Sequence, residues 1–170
     1  MRRLRALVLA VVASAGMPAA AATFVVPSVE EMARSSDAVV RGRVVAIASR
    51  RDAGGRIVTD VDVAVASAWR GAAGPAVRLV VPGGRAGGLA LRVDGAPTFE
   101  PGEEVVLFLT RAAAGWRVNG HALGKFRVDG AEARSALGGA NVLPGPLGPG
   151  ERRAGAMPLD ELERRVRAAR

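Results

Sequence analysis

One segment of this chain alternates between apolar residues and small or polar residues over 13 positions, from Ile57 to Trp69. Successive side chains of a β-strand point to opposite faces, so the odd-numbered residues share one face. Those residues are Ile57, Thr59, Val61, Val63, Val65, Ser67 and Trp69. Alternation of this length predicts a long, bent strand with one face against a core. A sheet is therefore the expected basis of the fold.

Six other segments are predicted to be strands. They are Ala38–Ile47, Val77–Val81, Leu89–Val93, Val105–Thr110, Trp116–Val118 and Phe126–Val128. Adjacent Val39 and Val40 predict cover on both faces, and VVLFLT at Val105–Thr110 predicts a central strand. Gly54-Gly55 marks a hairpin turn, and Gly83–Gly88 is predicted to be a flexible loop. Seven short strands without helices between them predict a mainly β fold, an antiparallel barrel or sandwich.

Short helices are predicted at the two ends of the folded part. Ser28 with Glu31 three residues later is a capping-box pattern, which starts the first helix. Residues 158–169 form the second helix. Its apolar face is Leu159, Leu162, Val166 and Ala169, and its i,i+4 ion pairs are Asp160/Arg164, Glu161/Arg165 and Glu163/Arg167. Gly138–Gly150, with five glycines and three prolines, is predicted to be a mobile, irregular loop.

Residues 1–22 have the three zones of a secretory signal peptide. Arginines at positions 2, 3 and 5 precede an apolar run over residues 6–15, and small residues end at Ala22. The run is shorter than the roughly 20 residues of a membrane-spanning helix, so cleavage after Ala22 is favoured over an uncleaved anchor. The expected product, residues 23–170, has the size of one domain, and we predict a single domain. No later segment is long and apolar enough to cross a membrane.

The composition agrees with an exported bacterial protein. Ala, Gly and Arg are abundant while Lys125 is the only lysine, which is typical of a GC-rich genome, so we expect a periplasmic or secreted location. The leader holds three arginines and no acids, and its removal lowers the formal net charge from +8 to +5. The remaining arginines are scattered among acids, so the charge does not indicate a nucleic-acid site.

The residue inventory argues against familiar catalytic sites. The chain has no cysteine and one histidine, His121, so it cannot build the usual His/Cys zinc site alone, and no GxSxG motif accompanies that histidine. GHALGKF lacks the spacing and the Ser/Thr of a phosphate-binding loop, and GGRAGG at residues 83–88 lacks the setting of a dinucleotide loop. We therefore predict no catalytic residue, no metal and no cofactor.

Two acidic pairs are candidates for carboxylate chemistry. Asp60 and Asp62 share a strand face, and Glu103-Glu104 start a strand. Glycosidases use two carboxylates but also need aromatic residues to hold sugar, and this chain has only six aromatic residues. All four acids are therefore interpreted as members of solvated faces.

The segments SSDAVVRGRVVAI, IVTDVDVAVASAWRG and PGEEVVLFLT together resemble the netrin-type modules that include the tissue inhibitors of metalloproteinases. The resemblance covers residues 29–128 and extends to small exported bacterial proteins of the same layout. It implies an OB-type, five-stranded antiparallel barrel with flanking helices. In the animal inhibitors an N-terminal cysteine, held by a disulfide, binds the protease zinc; here the expected first residue is Thr23, so that mechanism is not implied.

Without disulfides, burial must hold the strands. The residues predicted to do so are Val40, Val44, Val61, Val63, Val65, Leu107 and Leu109. Fully burying one aliphatic side chain contributes about 1.5 to 3 kcal/mol, so seven of them rival the roughly 3 kcal/mol of one disulfide.

The predicted function is a non-enzymatic binding module that contacts another exported protein, for which a metalloprotease is one candidate. The predicted contact face combines the Gly83–Gly88 loop, Arg92 and the turn Pro97–Gly102, because loops on a rigid scaffold are common contact sites. Two alternatives stay open. One is an envelope-associated module that binds polyanionic glycan or lipid headgroups through arginines, and the other is an enzyme that uses His121, Asp60 or Asp62.

Overall fold

The computed structural model describes residues 24–113, 115–136 and 142–169. The predicted signal peptide and the first part of the predicted loop, residues 138–141, lie outside the described residues. The strands within them are β1 (Phe24–Val26), β2 (Ala38–Arg51), β3 (Ile57–Arg70), β4 (Ala76–Pro82), β5 (Gly84–Ala86), β6 (Leu89–Leu91), β7 (Glu104–Ala112), β8 (Gly115–Val118), β9 (Lys125–Asp129), β10 (Glu132–Ser135), β11 (Val142–Pro144) and β12 (Ala156–Pro158). The helices are α1 (Val29–Arg34), α2 (Leu159–Ala168) and a 3-10 helix at His121–Gly124.

Five strands of the main sheet form a closed ring. β2 pairs antiparallel with β3 and β7, β3 with β4, and β7 with β8. A parallel contact between Leu79 of β4 and Trp116 of β8 completes the ring. Outside it, β9, β10 and β12 extend the sheet from β7. The mainly β, predominantly antiparallel architecture is confirmed.

The path of β2 explains how the sheet closes. Three register shifts interrupt its pairing with β3 between Val39 and Ala46. Such β-bulges bend a strand and increase its twist, which lets a sheet curve back on itself. The hairpin turn predicted at Gly54-Gly55 is confirmed, since β2 ends at Arg51 and β3 begins at Ile57.

Ala38–Val40 at the start of β2 and Val105–Leu109 of β7 are buried on both faces, as predicted at these points, and they separate two cores. The inner core, inside the ring, contains Ala38, Val40, Val44, Val61, Val63, Val77, Leu79, Val81, Val105, Leu107 and Leu109. The outer core, beneath the helices, contains Val26, Val29, Met32, Ala33, Val39, Trp69, Val106, Phe108, Leu123, Phe126, Val128, Ala133, Met157, Leu162, Val166 and Ala169. Of the seven residues predicted to hold the strands, six are fully buried and Val65 packs at the margin of the inner core.

Both predicted helices are present and cover the outer core. The Ser28 hydroxyl accepts a hydrogen bond from the Glu31 backbone N–H at 3.0 Å, which is the expected N-cap. In α2, Leu162 and Val166 are buried and all three predicted i,i+4 ion pairs form. Neither α-helix, at six and ten residues, has the length to cross a membrane, and the same is true of every other helix in the described residues.

Two predicted loops contain strands instead. Gly83–Gly88 is not an open loop, because Gly84–Ala86 forms β5 and pairs with β6. Within Gly138–Gly150, residues 142–144 form β11, which pairs parallel with β1. Local composition did not indicate β11, because its partner β1 lies more than 110 residues away in the chain. A pairing over that distance produces no local periodicity.

Candidate binding cleft

A cleft of about 450 Å³ lies at one end of the strand ring. Its floor includes Val61 and Val81, which belong to the inner core, so the apolar lining of the ring continues into the cleft. The segment after β6 forms a wall, to which Val93 and Phe99 contribute. The cleft is therefore the open mouth of the ring, a common location for binding sites in closed sheets.

The β5–β6 hairpin stands beside this mouth. Its two-residue turn consists of Gly87 and Gly88, with φ of 59° and 76°, the left-handed conformation that a type I′ hairpin turn requires. At the base of the hairpin, a Cβ on Gly84 would lie 2.3 Å from the hydroxyl oxygens of both Ser49 and Thr59. Only glycine lets the hairpin approach the β2–β3 strands this closely.

The hydroxyl groups beneath Gly84 form a short chain of hydrogen bonds. Thr59 Oγ1 donates its only proton to the Gly83 carbonyl oxygen, at a distance of 2.7 Å. Ser49 Oγ must therefore be the donor in its 2.8 Å bond to Thr59 Oγ1. These bonds hold the first strand of the hairpin to the body of the molecule.

The second strand of the hairpin exposes an apolar row. Leu89, Leu91 and Val93 are 57%, 43% and 36% exposed, and they are three of the five large hydrophobic residues that are exposed in the described part of the chain. Leu89 and Leu91 alternate along β6 and share one face, the face on which Gly84 contacts β2 and β3, and Val93 follows two residues after the strand ends. A row of neighbouring exposed apolar residues, unlike scattered ones, is typical of a contact surface.

Two arginines at the cleft have no ionic partner. Arg85 and Arg92 line it, and neither makes an ion pair or a side-chain hydrogen bond within the described residues. One acid, Asp94, also lines the cleft. The residues that line the cleft thus carry a net positive charge, although Arg85 is on the opposite face of the hairpin from Leu89 and Leu91. The lining suits a ligand that presents a carboxylate as well as apolar groups.

A buried ion pair supports the cleft wall from below. Lys125 Nζ of β9 lies 2.7 and 2.8 Å from the two carboxylate oxygens of Glu103, and both side chains are about 5% exposed. The ammonium also donates to the carbonyl oxygen of Thr98 and lies 4.5 Å from the ring centre of Phe99. Burial lowers the pKa of Lys125, although the Glu103 carboxylate opposes that shift. These contacts fix residues 98–103, and with them one side of the cleft.

The interpretation of Glu103 as a solvated acid is wrong. Its side chain is buried because Lys125 neutralises it, while the adjacent Glu104 pairs with Arg41 and Arg43 nearer the surface. A signal was present in the sequence: Lys125 is the single lysine among 24 basic residues. The site needs a compact ammonium with three donors, and a planar guanidinium does not match that geometry.

The other residues considered as candidates for catalysis are dispersed. Asp60 binds Arg50 and Asp62 binds Arg78, each through two hydrogen bonds, so each carboxylate has its own cation. Arg78 holds the pKa of Asp62 below its usual range, through hydrogen bonding first and charge second. His121 is exposed at the start of the 3-10 helix, with φ of 58°. Within the described residues, no three His, Asp or Glu side chains come together as a metal site would need.

The segments of the predicted contact face do converge. The first three residues of Gly83–Gly88, Arg92 and the first three residues of Pro97–Gly102 line the cleft. Gly102 is turned away, since its N–H donates to the Val44 carbonyl oxygen at 2.8 Å. Sequence reasoning found the segments but missed the hairpin and the buried ion pair that hold them in place.

Comparison of the chain with models of known protein families, with curated proteins and with solved structures found no match. The resemblance to netrin-type modules therefore stays a prediction from the sequence.

Proposed function

We propose that this protein is an exported, non-enzymatic binding module that contacts another exported protein through the cleft at the mouth of the ring. One observation carries the proposal: the exposed row of Leu89, Leu91 and Val93 adjoins two arginines that no acid neutralises within the described residues. Exposed apolar side chains gain free energy when a partner covers them, and unpaired guanidinium groups select a partner that presents carboxylates.

We further propose that the ring is an OB-type module. Numbered within the ring, its strands follow the order 1-2-3-5-4 and then return to 1, and strands 3 and 5 meet in parallel. OB folds are five-stranded Greek-key barrels with this order. The strand order therefore supports the architecture that the netrin resemblance implies, and a metalloprotease stays one candidate partner.

The two alternative functions have less support from the geometry. The arginines of α2 form ion pairs with acids of α1 and α2, and Arg152 of the preceding segment pairs with Glu161 of α2. These arginines therefore do not present a bare cationic face to a polyanion. Asp60 and Asp62, which the enzyme alternative would use, each bind an arginine on the outside of the sheet.

Site-specific photo-crosslinking tests the proposal. A photoreactive residue replaces Leu91 at the cleft or, as a control, Leu147, which is 38% exposed elsewhere. Irradiation takes place in the producing cells, and the crosslinked proteins of the envelope and medium are identified by mass spectrometry. We expect one partner protein to be captured from position 91 and not from position 147. Capture of the same proteins from both positions would overturn the cleft as the contact site.

A charge reversal sharpens the test. Arg92→Glu should abolish the crosslink from position 91, because it places a carboxylate where the partner's carboxylate is expected. Arg117→Glu makes the same charge change at an exposed arginine of β8 that also has no ion pair within the described residues, and it should leave the crosslink intact. Equal losses in the two variants would instead indicate general attraction by positive charge, which a salt-dependent elution from heparin resin would then show.

A further inference from the structure

β6 is the outer strand of its hairpin, and its second edge has no strand partner in the described residues. In a two-residue hairpin the closing pair, here Ala86 and Leu89, exchanges both backbone hydrogen bonds. Orientation alternates along a strand, so the N–H and C=O groups of Ala90 point away from β5. The edge therefore presents a free donor and a free acceptor, centred on Ala90.

We propose that a second copy of this chain occupies this edge, with the two β6 strands antiparallel about a two-fold axis at Ala90. The sequence around that residue is L-A-L, which is the same read in either direction. Pairing about Ala90 lets the two alanines exchange both backbone hydrogen bonds. It also places Leu89 of each copy opposite Leu91 of the other, all four on one face, which covers side chains that are 57% and 43% exposed in the single chain.

The flanking residues are compatible with this register. Arg92 falls opposite Gly88 of the second copy, and Val93 opposite Gly87, so no side chain of like charge faces the guanidinium. Arg85 is paired with Ala90 inside each hairpin. The two Arg85 residues are therefore separated by three strand spacings, about 14 Å. The result is a four-stranded sheet, β5-β6-β6-β5, that bridges two clefts.

The contact is small, which sets the expected affinity. β6 has only three residues, so the paired hairpins bury less than the roughly 1,200 Å² of a standard stable interface. We expect a weak dimer that dissociates on dilution. This inference uses the exposed leucines that also support the proposed function, but it is tested separately, because crosslinking and association of the purified protein require no other exported protein.

Single cysteines test the register, since the protein has none of its own. In the proposed dimer the two Ala90 Cα atoms are about 5.5 Å apart, within the range of a disulfide. The two Arg92 Cα atoms are about 14 Å apart, which is beyond that range. Under mild oxidation Ala90→Cys should crosslink at least tenfold faster than Arg92→Cys, although the second variant has less charge repulsion. Equal rates would overturn the register.

Sedimentation velocity over about 10 to 500 μM tests the association itself in this weak range. The wild-type protein should shift from monomer toward dimer, and Ala90→Pro should stay monomeric, because proline removes the outward N–H without touching a bond to β5. Leu147→Ser, a change at an exposed leucine outside the hairpin, should dimerise like the wild type. Circular dichroism checks that each variant folds. A wild-type protein that is monomeric at every concentration would overturn the proposal.

Discussion

The outer face of β2 and β7 and the mouth of the ring differ in how completely their apolar side chains are covered. On the outer face, α1 and α2 pack over Phe108 and Phe126, and neither these side chains nor Leu162 of α2 is exposed. At the mouth, the apolar lining continues from buried Val61 outward to Leu91, which is nearly half exposed.

Their charges differ in the same way. Around α2, Arg152, Arg164, Arg165 and Arg167 all have acidic partners. At the mouth, Arg85 has none within the described residues. This contrast underlies the division of roles that we propose, in which the helix-covered face maintains the fold and the mouth contacts a partner.

The largest expected effect comes from the buried ion pair beneath the cleft wall. Lys125→Met should lower the free energy of unfolding by about 3 to 5 kcal/mol, because it leaves the Glu103 carboxylate buried without a cation. Urea unfolding measures the loss. The double variant Lys125→Met/Glu103→Leu should recover most of it, since it removes both charges and restores apolar contact. A double variant as unstable as the single one would contradict this account.

Truncating the same side chain in the two regions tests the contrast directly. Leu162→Ala on the covered face should cost about 2 to 5 kcal/mol, because Leu162 is fully buried. Leu89→Ala at the mouth should change stability by no more than about 0.5 kcal/mol, as for an ordinary surface position. Thermal and urea unfolding compare the two. Equal losses would show that the hairpin belongs to the stabilising core.

A smaller effect is expected from the ion pairs over α2. Arg165 pairs with Glu161 within the helix and with Glu30 of α1, so Arg165→Gln should cost about 1 kcal/mol. Within the described residues Arg164 pairs with Asp160 alone, and both are largely exposed, so Arg164→Gln should cost less than about 0.5 kcal/mol. Added salt should reduce both losses. Equal losses of stability in the two variants would mean that the ion pair between Arg165 of α2 and Glu30 of α1 adds nothing to stability.

The smallest effect is a dependence on acid. Hydrogen bonding and charge from Arg165, with a further contribution from Arg152, lower the pKa of Glu161 below its ordinary 4.5. A depressed pKa in the folded state adds stability above the ordinary value, and this stability is lost as the pH falls through the folded-state pKa. The difference in unfolding free energy between wild type and Glu161→Gln should therefore shrink between pH 7 and pH 3. A difference that is constant with pH would contradict the prediction.

Much of the fold could be predicted because its signals are local. Alternation in β3, the continuous apolar run of β7 and the capping pattern at Ser28 each involve neighbouring residues, and the structure confirms all three. The strands that were missed have weak local signals. β5 contains two small residues and an arginine, and β11 depends on pairing with β1.

The candidate site was predictable only in part, for a related reason. Gly83–Gly88 and Arg92 were identified as a contact face because glycine-rich segments connect strands at the surface. These segments meet Phe99 at the mouth of the ring because of the way the sheet curves. The residues of a single segment do not predict that curvature. The burial of Glu103 was missed because it requires Lys125, which lies 22 residues further along the chain.

The amino-acid sequence by itself determined the class of fold and the absence of disulfides. Side-chain alternation, turn residues and helix caps act over a few residues, and the inventory of residue types can be read without any structure. Tertiary structure alone decided which strands close the ring, which acid is buried with the single lysine, and where apolar surface is left uncovered. Those properties depend on distances between segments far apart in the chain, which are set only when the two cores pack.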